Sequence, residues 1–269
     1  MAVELEFEKK PKVWLWVMDS LLMIRRSSTH ILRNMDQLLG AFFQPIMFLV
    51  LFAAVFGGAI GQALPPGVSY LNFLMAGIII QTVAFGSTTT AIAVSNDLQK
   101  GIVDRFKSLP MANLAVLNGH VVSDLFRNSI STIVMILTGL VIGFRSGASL
   151  TDWLLIAGIV LLFTLAFSWL SAIMGVAAKS VEGVQWLSFV FVFPLTFASS
   201  AFVPTEGMVP VLKAFAENQP ITHIVEAVRA LLLGNPVGDH LWLSVVWCLG
   251  LLVVAMPIAS WLFRRKVTR

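Results

Sequence analysis

The chain reads as an all-α polytopic membrane protein with six transmembrane helices, and three observations carry that expectation. First, long apolar stretches occur at roughly 38–61, 70–95, 121–144, 153–178, 184–203 and 241–263. Each reaches the ~20 mostly apolar residues that a bilayer-crossing helix needs. Second, 58% of residues are hydrophobic and 12% charged, with a mean hydropathy of +0.88; a water-soluble domain could not hide so much apolar surface. Third, 15 of the 18 basic residues fall on the termini and alternate connections, leaving only Arg145, Lys213 and Arg229 on the other side. By the positive-inside rule both termini and the basic loops are expected in the cytoplasm. Orientation therefore accounts for the net charge of +4 without nucleic acid as a partner.

Residues 1–37 form a cytoplasmic tail, 38–263 the six-span core and 264–269 a basic cytoplasmic tail, all within one transmembrane domain. The run 12–26 mixes Trp14, Trp16, Leu21 and Leu22 with Lys12, Asp19, Arg25 and Arg26. It is too short and too polar to cross, and it suits a helix lying in the cytoplasmic interface, where Trp and Arg both anchor. In the first span Gln44 precedes Pro45, which predicts a kink. The second span carries Gln81, Thr82 and a run of hydroxyls from Ser87 to Thr90; the fifth carries Ser188, Thr196, Ser199 and Ser200. Such hydroxyls join helices or bond their own backbone, and as a lining they suit a large amphiphile better than an ion.

Between the second and third spans, Leu98, Ile102, Phe106 and Leu109 recur at helical spacing, with Lys100, Asp104 and Lys107 on the opposite side and Pro110 as a stop. This amphipathic helix either rests on lipid or fills a groove in another protein. Before the last span, 204–240 holds two apolar pieces, 208–216 and 221–233, each too short to cross. They predict two short re-entrant helices on the outer side, since backbone bent at that depth survives only against protein or water. Within the second piece Glu226 and Arg229 sit three apart and can pair, and His223 lies three before Glu226.

Several chemistries are missing. No G-x-x-x-x-G-K-[ST] occurs, so the chain itself has no P-loop for ATP. Cys248 is alone, which excludes an intrachain disulfide, and His30, His120, His223 and His240 are scattered. No nucleophile–base pair stands out, and no buried carboxylate is expected near a span midpoint, which weakens an ion-coupled carrier.

Three motifs in order carry a resemblance. They are Lys100-Gly101-Ile102-Val103-Asp104-Arg105-Phe106-Lys107-Ser108-Leu109-Pro110, the stretch from Phe193-Pro194 to Val203-Pro204, and Asn218-Gln219-Pro220-Ile221-Thr222-His223 continuing to Arg229. Together with the span order they make the chain similar to the membrane subunits of type-2 ABC exporters, nearest to the daunorubicin/doxorubicin resistance permeases. The resemblance covers essentially the whole chain. It implies a transport subunit without an ATPase site of its own, working as a dimer with itself or a paralogue in the bacterial inner membrane. Two copies of a separate P-loop ATPase, carrying ATP and magnesium, would energise export of a drug-like amphiphile. A cell-envelope lipid or a lipid-linked polysaccharide is the alternative cargo, and an ATP-independent channel or carrier is the alternative class. It further implies that Leu98, Lys100, Ile102, Asp104, Arg105, Phe106, Lys107 and Leu109 form a coupling helix against the ATPase. His223, Glu226 and Arg229 would belong to an outer gate. Gln44, Gln81, Phe85, Thr89, Phe193, Thr196 and Ser199 would border the substrate path.

Overall fold

The computed structural model describes residues 35–62, 64, 67–101 and 115–267, and these residues are helical apart from short connections. The described elements are α1 (Met35–Gly61), α2 (Tyr70–Gly86), α3 (Thr88–Gln99), α4 (Ala115–Ile142), α5 (Leu150–Ala177), α6 (Val181–Phe197), α7 (Pro210–Asn218), α8 (Pro220–Leu233) and α9 (His240–Val267), with a 3-10 turn at Thr205–Gly207. The interfacial helix expected at 12–26 lies outside the described residues. Among the described residues five segments are long and apolar enough to cross a bilayer: Phe43–Gly61, Tyr70–Gln99, Val116–Ile142, Leu150–Ala177 and His240–Lys266. The chain is a polytopic membrane protein.

The fifth apolar stretch behaves differently from its sequence pattern. Its helix, α6, has 17 residues, about 25 Å at 1.5 Å per residue, against a hydrocarbon core of about 30 Å. Apolarity continues past Phe197 into Ala201 and Phe202, but these residues fold into a buried turn. Gln219 Nε2 donates to the carbonyls of Leu195 (2.9 Å) and Ala198 (2.6 Å), capping the end of α6 from the start of α8. Tyr70 Oη donates to Phe202 O (3.0 Å) and fixes the turn on the first residue of α2. Hydropathy reports burial and cannot tell a turn wrapped in protein from a helix continuing through lipid.

The core is built around the α2–α3 segment and α5, whose apolar windows are 67% and 56% buried, whereas those of α1 and α9 are only 11% and 17% buried. Glycine allows two close crossings. A Cβ on Gly77 of α2 would strike the Ala201 backbone, and one on Gly175 of α5 would strike the Ala91 backbone of α3. Helix ends are closed by local chemistry. Ser149 and Asp152 form a reciprocal capping box at the start of α5. At its other end Lys266 Nζ donates to the last carbonyls, Val176 O (2.6 Å) and Ala178 O (3.0 Å), tying α9 to α5. Gly234 ends α8 in the left-handed region at φ 70°. The α4–α5 connection then clamps α8, because Ser146 Oγ and Gly147 N–H both donate to Leu232 O at 2.9 Å.

The expected pair of short helices before the last span is present as α7 and α8. They differ in environment. α8 is buried along most of its length, while Val209, Val211 and Phe215 around α7 are exposed.

Candidate functional site

A cavity of about 550 Å³ opens between α1, the α2–α3 pair and α4. The α2–α3 pair lies in one crossing segment interrupted at Ser87. Thr90 N–H bonds Ser87 O (3.1 Å), one residue short of the helical i−4 partner. Gly86 O accepts from Thr89 Oγ1 (3.0 Å) and from Arg127 Nη2. A carbonyl freed at membrane depth must find such partners, and here a cation on α4 supplies one. Asn128 packs so closely on Gly86 that a Cβ there would meet its amide oxygen.

Arg127 also donates to Asp124 Oδ1, and Ser168 Oγ of α5 donates to Asp124 Oδ2. Asp124 is 1% exposed and Arg127 8%. The expectation concerns span midpoints, and Asp124 is a buried carboxylate that lies short of one. Helix α4 begins at Ala115, six residues before its apolar stretch, and so draws Asp124 about a third of the way along. The ion pair, with hydrogen bonds to a carbonyl and a hydroxyl, makes a charge tolerable there. The signal was available: His120, Ser123, Asp124, Arg127, Asn128, Ser131 and Thr132 recur at i, i+3, i+4, i+7, i+8, i+11 and i+12, a polar stripe along one helical face.

Of the residues expected on a substrate path, Gln44, Gln81, Phe85 and Thr89 line this cavity and the other three do not. Phe193 heads an aromatic ladder through Phe197 (4.2 Å between centroids), Phe202 (4.7 Å) and Phe52 (4.8 Å). The ladder joins α6 to α1, where Phe48 meets both Phe52 and the cavity. The Thr196 hydroxyl donates to Val192 O (2.8 Å) and that of Ser199 to Thr196 O (2.6 Å). Both are spent on backbone.

Of the expected coupling residues, Leu98 and Lys100 are described, and Ile102, Asp104, Arg105, Phe106, Lys107 and Leu109 lie outside the described residues. Leu98 packs inward beside Val94, Val116 and Phe263, whereas Lys100 is exposed at the cavity rim. His120 Nε2 meets Asp97 Oδ2 at 3.0 Å, closing the helix that leads into the segment onto the helix that follows it.

At the opposite end Arg229 is the centre. Its guanidinium reaches Glu226, Phe73 O (3.1 Å) and Ser200 O (2.6 Å), and lies 3.6 Å over the Phe73 ring. The predicted Glu226–Arg229 pair is present and joins α8 to α2 and to the turn after α6. His223 takes no part in it. It faces His240 at the start of α9, Nδ1 to Nδ1 3.3 Å. Burial first, and then the neighbouring His240, lower the pKa of His223 from its ordinary 6.5. A histidine with a lowered folded-state value binds fewer protons folded than unfolded. Its stabilising contribution is full above the ordinary value and is lost as pH falls through the folded one. Melting of the purified chain is therefore expected to weaken below pH ~6.5, and His223→Asn to weaken that dependence. Equal pH dependence in both proteins would refute the assignment.

Among the described residues no group of three or more His, Cys, Asp or Glu side chains could hold a metal ion. Residues 19–233 match the family described as ABC-2 type transporter. The chain is 30% identical over 230 residues to the daunorubicin resistance ABC transporter permease protein DrrB1 of Streptomyces coeruleorubidus, covering 86% of this chain and 80% of that protein. It is 27% identical over 249 residues to the probable doxorubicin resistance ABC transporter permease protein DrrC of Mycobacterium tuberculosis, covering 91% and 88%. Nodulation protein J of Rhizobium leguminosarum bv. trifolii is 25% identical over 236 residues, covering 86% and 87%.

Proposed function

The chain belongs to the ABC-2 type transporter family, and from that premise we propose that it is the membrane subunit of an ATP-driven exporter moving a lipophilic or amphiphilic compound out of the cell. The observation that carries this reading is the cavity of mixed polar and apolar lining between α1, α2–α3 and α4, with Gln44, Gln81, Phe85 and Thr89 on its wall. A cavity that sets amides and hydroxyls beside phenyl rings suits an amphiphile in transit. The names of the resistance permeases among its relatives point to a drug-like cargo.

The sequence has no P-loop, so the energy would come from a separate ATPase subunit, with ATP and magnesium bound there. The working assembly is two permease copies, identical or paralogous, with two ATPases. Six crossings result if α6 spans with the turn that follows it. The basic residues then set both termini in the cytoplasm of a cell whose inner membrane holds the complex. In this arrangement Leu98 to Leu109 couples to the ATPase, and α7 and α8, centred on Arg229 and Glu226, close the outer end of the path with His223 beside them. Phe193 on α6 would border the path only through the aromatic ladder to Phe48, while Thr196 and Ser199, buried and bonded to backbone, would support that wall from behind.

Affinity purification of the tagged chain from its native membranes tests the reading. A P-loop ATPase is expected to co-purify. Arg105→Glu and Phe106→Ala are expected to abolish export and ATPase retention while leaving membrane insertion intact. A chain that purifies alone and transports in ATP-depleted vesicles under an ion gradient would be a carrier instead. Normal export by both variants would overturn the coupling assignment.

A further inference from the structure

Three side chains on the cavity wall are almost fully buried and yet hold unpartnered polar atoms. Gln81 has neither amide atom bonded, Asn128 has its Nδ2 free and Arg127 its Nε. They are 4%, 1% and 8% exposed, respectively. Buried polar groups in folded proteins are nearly always bonded, and a cluster of exceptions around one space marks a place where something polar belongs. The charges around that space cancel. Among the described residues the wall carries two acidic side chains, Asp97 and Asp124, and two basic ones, Lys100 and Arg127, together with His120. Asp124 is paired with Arg127, and Asp97 lies against His120. A ligand with a net charge would enter a site with no surplus of the opposite sign and would lose its hydration for no return. A neutral group rich in hydroxyls or amides could bond Gln81 and Asn128 without disturbing either pair.

The rest of the wall fits an apolar tail. Phe48 and Phe85 line the cavity, and Phe43 and Met47, beside Gln44 on α1, are exposed outside it.

We propose that the cavity between α1, α2–α3 and α4 binds the uncharged, hydroxyl- or amide-bearing headgroup of an amphiphile, with Gln81 and Asn128 as the residues that select it. This deepens the export reading and rests on it for the direction of travel only.

Ala93 lines the cavity and is half-buried, whereas the native Cys248 is buried and packed in the core. Ala93→Cys in the full chain, reconstituted in lipid nanodiscs, therefore gives a reporter for N-ethylmaleimide. The probes are dodecyl maltoside, dodecyltrimethylammonium and dodecyl sulfate at concentrations that leave the discs intact, and maltose alone. Dodecyl maltoside is expected to slow labelling and the two charged probes are not. Gln81→Leu is expected to weaken that protection about tenfold, the worth of one hydrogen bond in the ligand complex, without lowering the melting temperature. Protection by maltose alone would keep the headgroup chemistry and assign it to a soluble ligand. Equal protection by a charged probe, protection insensitive to both Gln81→Leu and Asn128→Leu, or no protection by any probe would overturn the proposal. These outcomes leave the export reading untouched if the ATPase still co-purifies. Failure to recover an ATPase alongside clear maltoside protection would do the reverse.

Discussion

Arg229→Met is expected to lower the melting temperature of the purified protein by on the order of 10 °C. The expectation follows from what the guanidinium holds. It is buried, satisfies the Ser200 carbonyl at 2.6 Å and the Phe73 carbonyl at 3.1 Å, pairs with Glu226, and covers the Phe73 ring. Removing one partner of a buried, hydrogen-bonded pair costs about 3–5 kcal/mol, and each kcal/mol moves the midpoint of a chain this size by about 2–4 °C. Arg229→Lys is expected to fall between, because an ammonium cannot reach three acceptors in one plane. Glu226→Gln should cost least: Glu226 is 30% exposed and Arg229 keeps both carbonyls. Differential scanning fluorimetry with a thiol-reactive dye would rank the three. Unchanged melting for Arg229→Met would remove Arg229 as the anchor of this end. Export assays on Glu226→Gln, which should fold, then separate a gate from a strut.

Much of this was legible in the sequence, and the parts that were not have definite reasons. The apolar stretches located the long helices because hydropathy integrates over some 20 residues and tolerates local error. The Glu226–Arg229 pair followed from helical spacing alone. The carbonyls that Arg229 also binds did not, since Phe73 lies 156 residues away in the chain. His223 was placed with Glu226 by the same three-residue rule, yet turns to His240 across a loop of α8 and α9. Spacing along one helix says which side chains can meet and nothing about a competing partner on another. The shortened α6 escaped detection because Ala201 and Phe202 are as apolar as a span while buried in a turn.

The polar stripe on α4 is the more instructive case. Its residues were present at helical spacing, but the apolar stretch begins at Val121, which set Asp124 and Arg127 at a span boundary, where charges need no explanation. The helix starts earlier, and the pair sits among α2, α4 and α5 with Ser168 as a third member.

The energetic consequence can be measured by a double-mutant cycle. Asp124→Leu leaves a buried guanidinium without its carboxylate. Arg127→Met leaves a buried carboxylate with only the Ser168 hydroxyl. Each single change is expected to cost about 3–5 kcal/mol, because an uncompensated charge stays behind at low dielectric. The double variant Asp124→Leu/Arg127→Met leaves no charge, and it is expected to recover most of one single-variant loss. Recovery should be incomplete, since Gly86 O then relies on the Thr89 hydroxyl alone. Asp124→Asn should be mildest: an amide oxygen can still accept from Arg127 or Ser168. Thermal melting of the four proteins in one detergent gives the coupling, predicted to exceed about 1.5 kcal/mol. Additive losses would mean that the two charges are independently solvated, which for groups 1% and 8% exposed requires water in the cavity up to the Ser87 break. That outcome would place an aqueous path beside α2–α3, at the wall where Gln81, Asn128 and Arg127 hold unpartnered polar atoms.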